Sequence, residues 1–152
     1  MSAVEPVTLE EMQSLVGRRF PGGSARVERW ENFLLHEVVG MTLPPDRRVH
    51  PIGLFHVPLA ACGWSYAEIF EICHAESDEA VRAGEYEWVL HGDVLEGVDF
   101  DITGEFISVD RKKGRSVGEF DRVAFRLDMA ERASGEPIAT VTNTWLFIRS
   151  TP

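Results

Sequence analysis

Residues 52–73 read Ile52-Gly-Leu-Phe-His-Val-Pro-Leu-Ala-Ala-Cys-Gly-Trp-Ser-Tyr-Ala-Glu-Ile-Phe-Glu-Ile-Cys73, the most apolar run of the chain. Pro58 stands near its start, where a missing N–H does no harm to a helix. Leu59, Cys62, Tyr66, Ile69, Phe70 and Cys73 follow at the spacing of one broad apolar stripe, and the remaining positions Ala60, Ala61, Gly63, Ser65 and Ala67 are small. A helix that is apolar or small nearly all round is a buried one. The segment therefore predicts a long central helix, about Pro58–Cys73, around which the rest of the chain is wrapped.

The wrapping is written downstream. Tyr86, Trp88 and Leu90 alternate with Glu85, Glu87 and Val89; Val98, Phe100, Ile102 and Phe106 with Asp99, Asp101, Thr103 and Glu105; Val123, Phe125, Leu127 and Met129 with Arg122, Ala124, Arg126 and Asp128. A fourth run, Ile138–Ile148, sets Thr140, Thr142 and Thr144 against Val141, Trp145 and Phe147. Period-two alternation with one wet and one dry face marks an antiparallel sheet covered on one side. Gly104 interrupts the second strand and suggests a bulge or bend there. The stretches 111–118 and 130–137 have turn composition.

Upstream, Thr8 followed by Glu11 three residues on is a capping box for a short helix ending before Gly17. A second helix, about Glu28–Val39, carries Trp30, Phe33, Leu34 and Val38 at the spacing of one apolar face, and Gly40 ends it. Residues 41–51 hold three prolines and form a loop. Helices first and a strand meander afterwards, with no linker and no repeat, predict a single α+β domain over residues 1–152.

Composition narrows the function classes. The 152 residues carry 25 acidic and 15 basic side chains, a formal charge of −10, which disfavours nucleic-acid binding. No apolar run approaches the ~20 residues that span a bilayer, and no charged-apolar-small leader opens the chain. Cys62 and Cys73 are eleven positions apart, about 16 Å along one helix, too far for a disulfide. Buried reduced thiols and a cytoplasmic setting are expected.

Three stretches carry a family resemblance. Tyr86-Glu-Trp-Val-Leu-His-Gly-Asp-Val-Leu95 resembles a strand followed by a Gly-Asp-x-Leu turn; Arg111-Lys-Lys-Gly-Arg115 is a basic turn; Gly135-Glu-Pro-Ile-Ala-Thr-Val-Thr-Asn-Thr-Trp-Leu-Phe-Ile-Arg149 resembles a last strand running from a Gly-Glu turn to a terminal Arg. With His50-Pro-Ile-Gly-Leu-Phe55 at the helix entry, their order resembles the hot-dog fold of the MaoC-like acyl dehydratases and (R)-specific enoyl-CoA hydratases, most closely the N-terminal-type MaoC module. The likeness covers roughly residues 9–149.

The resemblance implies reversible water addition to an enoyl thioester. It implies no cofactor beyond the coenzyme A or phosphopantetheine of the substrate. It also implies a second hot-dog chain, identical or different, as partner. Catalysis in that family uses an Asp-x-Asn-Pro-x-His segment, which is absent here. Asp46 and His50 stand in its place, four apart instead of five, so a displaced pair, a solvated loop and a non-catalytic subunit that shapes the pocket for a partner all remain open.

Other candidates follow from residue type. Gly53 allows close backbone approach, and His56 opens the helix beside a thioester carbonyl or bonds a loop. Glu68, a carboxylate in an apolar segment, offers a thioesterase alternative or an exposed helix edge; a thioester-binding module without turnover is a third class. Arg111, Lys112, Lys113 and Arg115 are the one basic cluster, suited to phosphates or to solvent. His74, Glu76 and Asp78 lack the ligand number of a metal site.

Overall fold

A computed structural model describes residues 6–149. Its helical elements are α1 (Leu9–Gln13), α2 (Arg29–Val38), α3 (Val57–Ala60) and α4 (Tyr66–Ile72), with 3-10 turns at Pro51–Phe55 and Asp78–Ala80. Its strands are β1 (Gly23–Arg26), β2 (Val81–Leu90), β3 (Asp99–Gly114), β4 (Gly118–Glu131) and β5 (Pro137–Ile148). They form one antiparallel sheet in the order β1-β3-β4-β5-β2.

The alternation read from the sequence sorts the two faces. Phe100, Ile102, Phe106, Val123, Phe125, Leu127, Met129, Val141, Trp145 and Phe147 are buried on the inner face. Charged residues on the outer face pair across neighbouring strands, as Arg126 does with Glu105 at 2.7 Å, and Arg132, in the turn just past β4, pairs with Asp101 at 2.6 Å. α4 lies on the inner face, with Tyr66 stacked on Trp145 and Phe70 edge-on to both Trp145 and Phe147.

Three sequence expectations are corrected. The long helix over Pro58–Cys73 is two short helices, because Gly63 takes φ +92°, a left-handed conformation that ends helical winding. The chain restarts at Ser65, whose hydroxyl accepts from the Glu68 N–H while the Glu68 carboxylate accepts from the Ser65 N–H, a capping box.

The register shift in β3 falls at Phe106/Ser108 and not at Gly104. Gly104 is a point of close packing instead: a Cβ there would lie 2.5 Å from Leu127 Cδ2 and 2.8 Å from the Arg126 carbonyl. The strands also run further into the turns than composition suggests, so β3 includes Arg111–Lys113 and only a short hairpin tip remains.

α2 confirms its expected span but turns its apolar face outward. Trp30 is 64%, Leu34 52% and Val38 76% exposed, while Asn32 and His36 are buried. The inward side of this helix carries Asn32 and His36 beside the half-buried Leu35, and it faces the candidate site.

Candidate functional site: a cavity beside two histidines

A cavity of about 340 Å³ opens between α2, the loop 41–50, the turn Pro51–Phe55 and the ends of β2 and β4. Its walls are Val27, Val49, Leu54, Val57, Leu90, Val94 and Met129, with His36 and His50 as polar points and Arg48 and Asp93 among its lining residues. An apolar cleft of a few hundred Å³ with few convergent polar groups is the usual form of a small-molecule site.

The Pro-rich loop is held on two sides. Val49 N–H donates to the Val94 carbonyl at 2.7 Å, and Glu96 N–H donates to the Arg47 carbonyl at 2.9 Å. From the other side the Asn32 amide donates to the Arg48 carbonyl at 2.9 Å and accepts from His50 N–H at 3.2 Å. Arg47 adopts φ +63° within this clamp.

Asn32 is fixed in turn by the buried Glu96, whose Oε2 accepts its amide at 2.9 Å and whose Oε1 accepts from Arg29 at 2.8 Å. The Asn32 amide first, then Arg29 and the charge of Arg47, hold the Glu96 carboxyl below the usual carboxylate range. A chain of bonds thus runs from Glu96 through Asn32 to the backbone of His50.

The structure places the residues singled out by sequence as follows. His50 and Gly53 line the cavity. Asp46 does not: its carboxylate accepts from Arg48 N–H at 3.1 Å and sits 3.4 Å from the Arg48 guanidinium in solvent. The two members of the expected pair are therefore not brought together.

His56 is exposed and lines a groove against α2 that adjoins the cavity at Val27 and Val57, and it is not among the cavity's lining residues. Glu68 is exposed, and its carboxyl is lowered by the Ser65 backbone N–H and hydroxyl, the capping bonds already described. Cys62 and Cys73 are free and buried, and burial pushes the Cys73 thiol up to about 12.

The basic cluster sits at the tip of the β3–β4 hairpin. Ile102, opposite the cavity residue Met129, is 12 residues from Gly114 at the tip, roughly 40 Å along the strand at about 3.3 Å per residue. Arg111 is engaged there by Asp121, at 2.7 and 3.0 Å, and by the Val7 carbonyl at 3.0 Å. Lys112, Lys113 and Arg115 are exposed.

Sequence reasoning missed His36, Asn32, Glu96 and Arg48. The one local signal was the polar pair Asn32 and His36, four apart and so on one face of the helix. Among the described residues no group of three metal-ligating side chains gathers, and no helix is long and apolar enough to cross a membrane.

With this geometry in hand, comparison with known proteins shows the fold. No family model and no curated protein matches the chain. Solved structures do. The HadBC (3R-hydroxyacyl-ACP dehydratase) complex from Mycobacterium tuberculosis matches with a TM-score of 0.63 at 20% identity, over 87% of this chain and 96% of that one. The ChsH1-ChsH2 complex from the same organism matches with a TM-score of 0.61 at 15% identity, over 95% and 90%.

A hypothetical thioesterase from Streptococcus pneumoniae follows with a TM-score of 0.52 at 12% identity, over 84% and 80%. The chain has the hot-dog fold. MaoC-like dehydratases and the thioesterase alike are among the solved structures that share this fold with the chain.

Proposed function

We propose that this protein is a MaoC-like hydratase/dehydratase that adds water to, or removes it from, an enoyl or 3-hydroxyacyl thioester bound in the 340 Å³ cavity. The observation that carries the reading is the placement of His50 and a second imidazole on the wall of a mainly apolar cleft. The acyl chain takes the apolar walls. Arg48 meets the polar end of the thioester, since its partners Asp46 and Asp93, at 3.4 and 3.3 Å, are exposed and such pairs are worth little. Coenzyme A or phosphopantetheine arrives as part of the substrate, with no other cofactor, and the buried free thiols suit a cytoplasmic setting.

Purified protein should hydrate crotonyl-CoA, followed by loss of the conjugated enoyl absorbance. His50→Ala should lower the rate by about 10²-fold or more, the usual scale for a group at a proton-transfer centre. Full activity in His50→Ala would move the chemistry elsewhere. A protein that binds acyl-CoA without turning it over would instead be the pocket-shaping subunit, a reading favoured by the exposed, Arg48-bound Asp46. The thioesterase alternative depends on Glu68, whose carboxylate caps α4.

A second hot-dog chain belongs to the proposal. β2 pairs with β5 alone, which leaves a ten-residue strand with one open edge among the described residues. Val89, Leu90, Phe55 and Tyr66 are exposed on or near it. Long open edges beside apolar surface invite pairing. Sedimentation should give a dimer, and a stable, active monomer would contradict this.

A further inference from the structure

The two cavity imidazoles are held in opposite tautomers by backbone groups. His36 Nδ1 lies 2.8 Å from the Asn32 carbonyl oxygen. A carbonyl oxygen only accepts, so Nδ1 carries the hydrogen and Nε2 keeps the lone pair. His50 is the reverse: Ile52 N–H donates to its Nδ1 at 3.2 Å. The neutral His50 ring therefore carries its hydrogen on Nε2.

The rings stand 5.2 Å apart, nearly perpendicular at 85°. His36 is only 3% exposed. Among the described residues neither Nε2 has a hydrogen-bond partner. A buried proton acceptor and a proton donor thus lie side by side at one cavity, and each role is dictated by a main-chain bond on the far side of the ring.

We propose that His36 is the general base of this site and His50 its hydrogen-bond donor, a two-histidine pair that does the work of the absent carboxylate and histidine. The inference rests on reading the cavity as a thioester site. His50 cannot supply the base, because its one lone pair faces Ile52 N–H. Asp46 cannot, because it lies outside the cavity against Arg48.

In the dehydration direction His36 Nε2 takes a proton from C2 of the 3-hydroxyacyl thioester. The C2–H electron pair becomes the second bond of C2=C3, and the C3–O bond breaks with its pair on oxygen. That oxygen takes the proton back from His36 and leaves as water, held by His50 Nε2–H. Both rings end in their starting tautomers and no other reactant is consumed. Hydration is the same path reversed.

The test combines three measurements on the intact protein: crotonyl-CoA hydration, calorimetric binding of unreactive butyryl-CoA, and imidazole nitrogen NMR. The NMR should show Nδ1–H at His36 and Nε2–H at His50. His36→Gln should lower kcat by about 10²–10⁴-fold, the range of general base catalysis, with butyryl-CoA affinity within about twofold of wild type. Binding and turnover with kcat kept within about threefold in His36→Gln would overturn the assignment while leaving the thioester site standing.

Identical tautomers at the two rings would overturn it even if the variant failed to fold. Binding without turnover in the wild type would remove the catalytic pair but keep the binding site. Absence of binding would remove both.

Discussion

Asp121→Ala should lower the melting temperature by roughly 10 °C in a calorimetric scan. Asp121 is fully buried and takes two guanidinium groups: Arg111 bidentately, at 2.7 and 3.0 Å, and the buried Arg149 at 2.8 Å. Arg149 also donates to the Cys73 carbonyl at 2.8 Å, to the His74 carbonyl and to Met12 Sδ at 3.3 Å. One carboxylate thus anchors the knot that ties the end of β5 to the C-terminus of α4 and to α1.

Removing one partner of a buried pair leaves the other charge uncompensated, at about 3–5 kcal/mol. In a domain of this size each kcal/mol moves the melting temperature by about 2–4 °C. The exposed pair Arg122–Glu85 is a control: Arg122→Ala should cost about 1 kcal/mol at most. A shift under about 2 °C for Asp121→Ala would show that the knot does not hold the fold. The same bonds explain why Arg111 is not free to meet a phosphate.

What was legible in the sequence is what depends on neighbours in the chain. The Thr8/Glu11 capping box and the alternation in β2 to β5 are local signals, and both stand in the structure. The central helix misled because apolar period is blind to backbone conformation: Leu59, Cys62, Tyr66 and Ile69 keep a helical spacing straight through Gly63 at φ +92°. The Ser65/Glu68 capping box was there to be read as a restart, and the apolar run outweighed it.

β1 has no alternation to read, since its four residues form a strand only by pairing with Phe100 to Ile102 and Asp99 of β3. His36 was hidden for a similar reason. The carboxylate that fixes its neighbour Asn32 is Glu96, 64 residues away, and nothing local to α2 announces it. The apolar face of α2 is legible as a face, but the sequence does not say whether the chain's own core or a partner covers it. In the monomer it faces out.

Asn143→Leu should raise stability by about 1–3 kcal/mol, the opposite sign to most core substitutions. Asn143 sits in the middle of β5 with its side chain in the inner-face row, between Tyr86 on β2 and Phe125 on β4. It is fully buried, and neither its amide nitrogen nor its amide oxygen meets a hydrogen-bond partner among the described residues. A buried amide with both ends unpaired carries the desolvation penalty without the compensating bonds.

Leucine has the same branch point and the same number of side-chain heavy atoms, with bulkier methyls, so it removes the penalty without opening a cavity. The gain should appear as a melting temperature higher by several degrees, by the conversion used for Asp121. A fall in melting temperature would mean that the amide is bonded in the assembled protein or that the bulkier leucine strains the core. A rise identifies the amide as a net cost to the core. Natural chains sit only just above the stability they need, so a destabilising residue persists even where it has no role. Measuring crotonyl-CoA hydration in Asn143→Leu beside its melting temperature would show whether catalysis uses the amide.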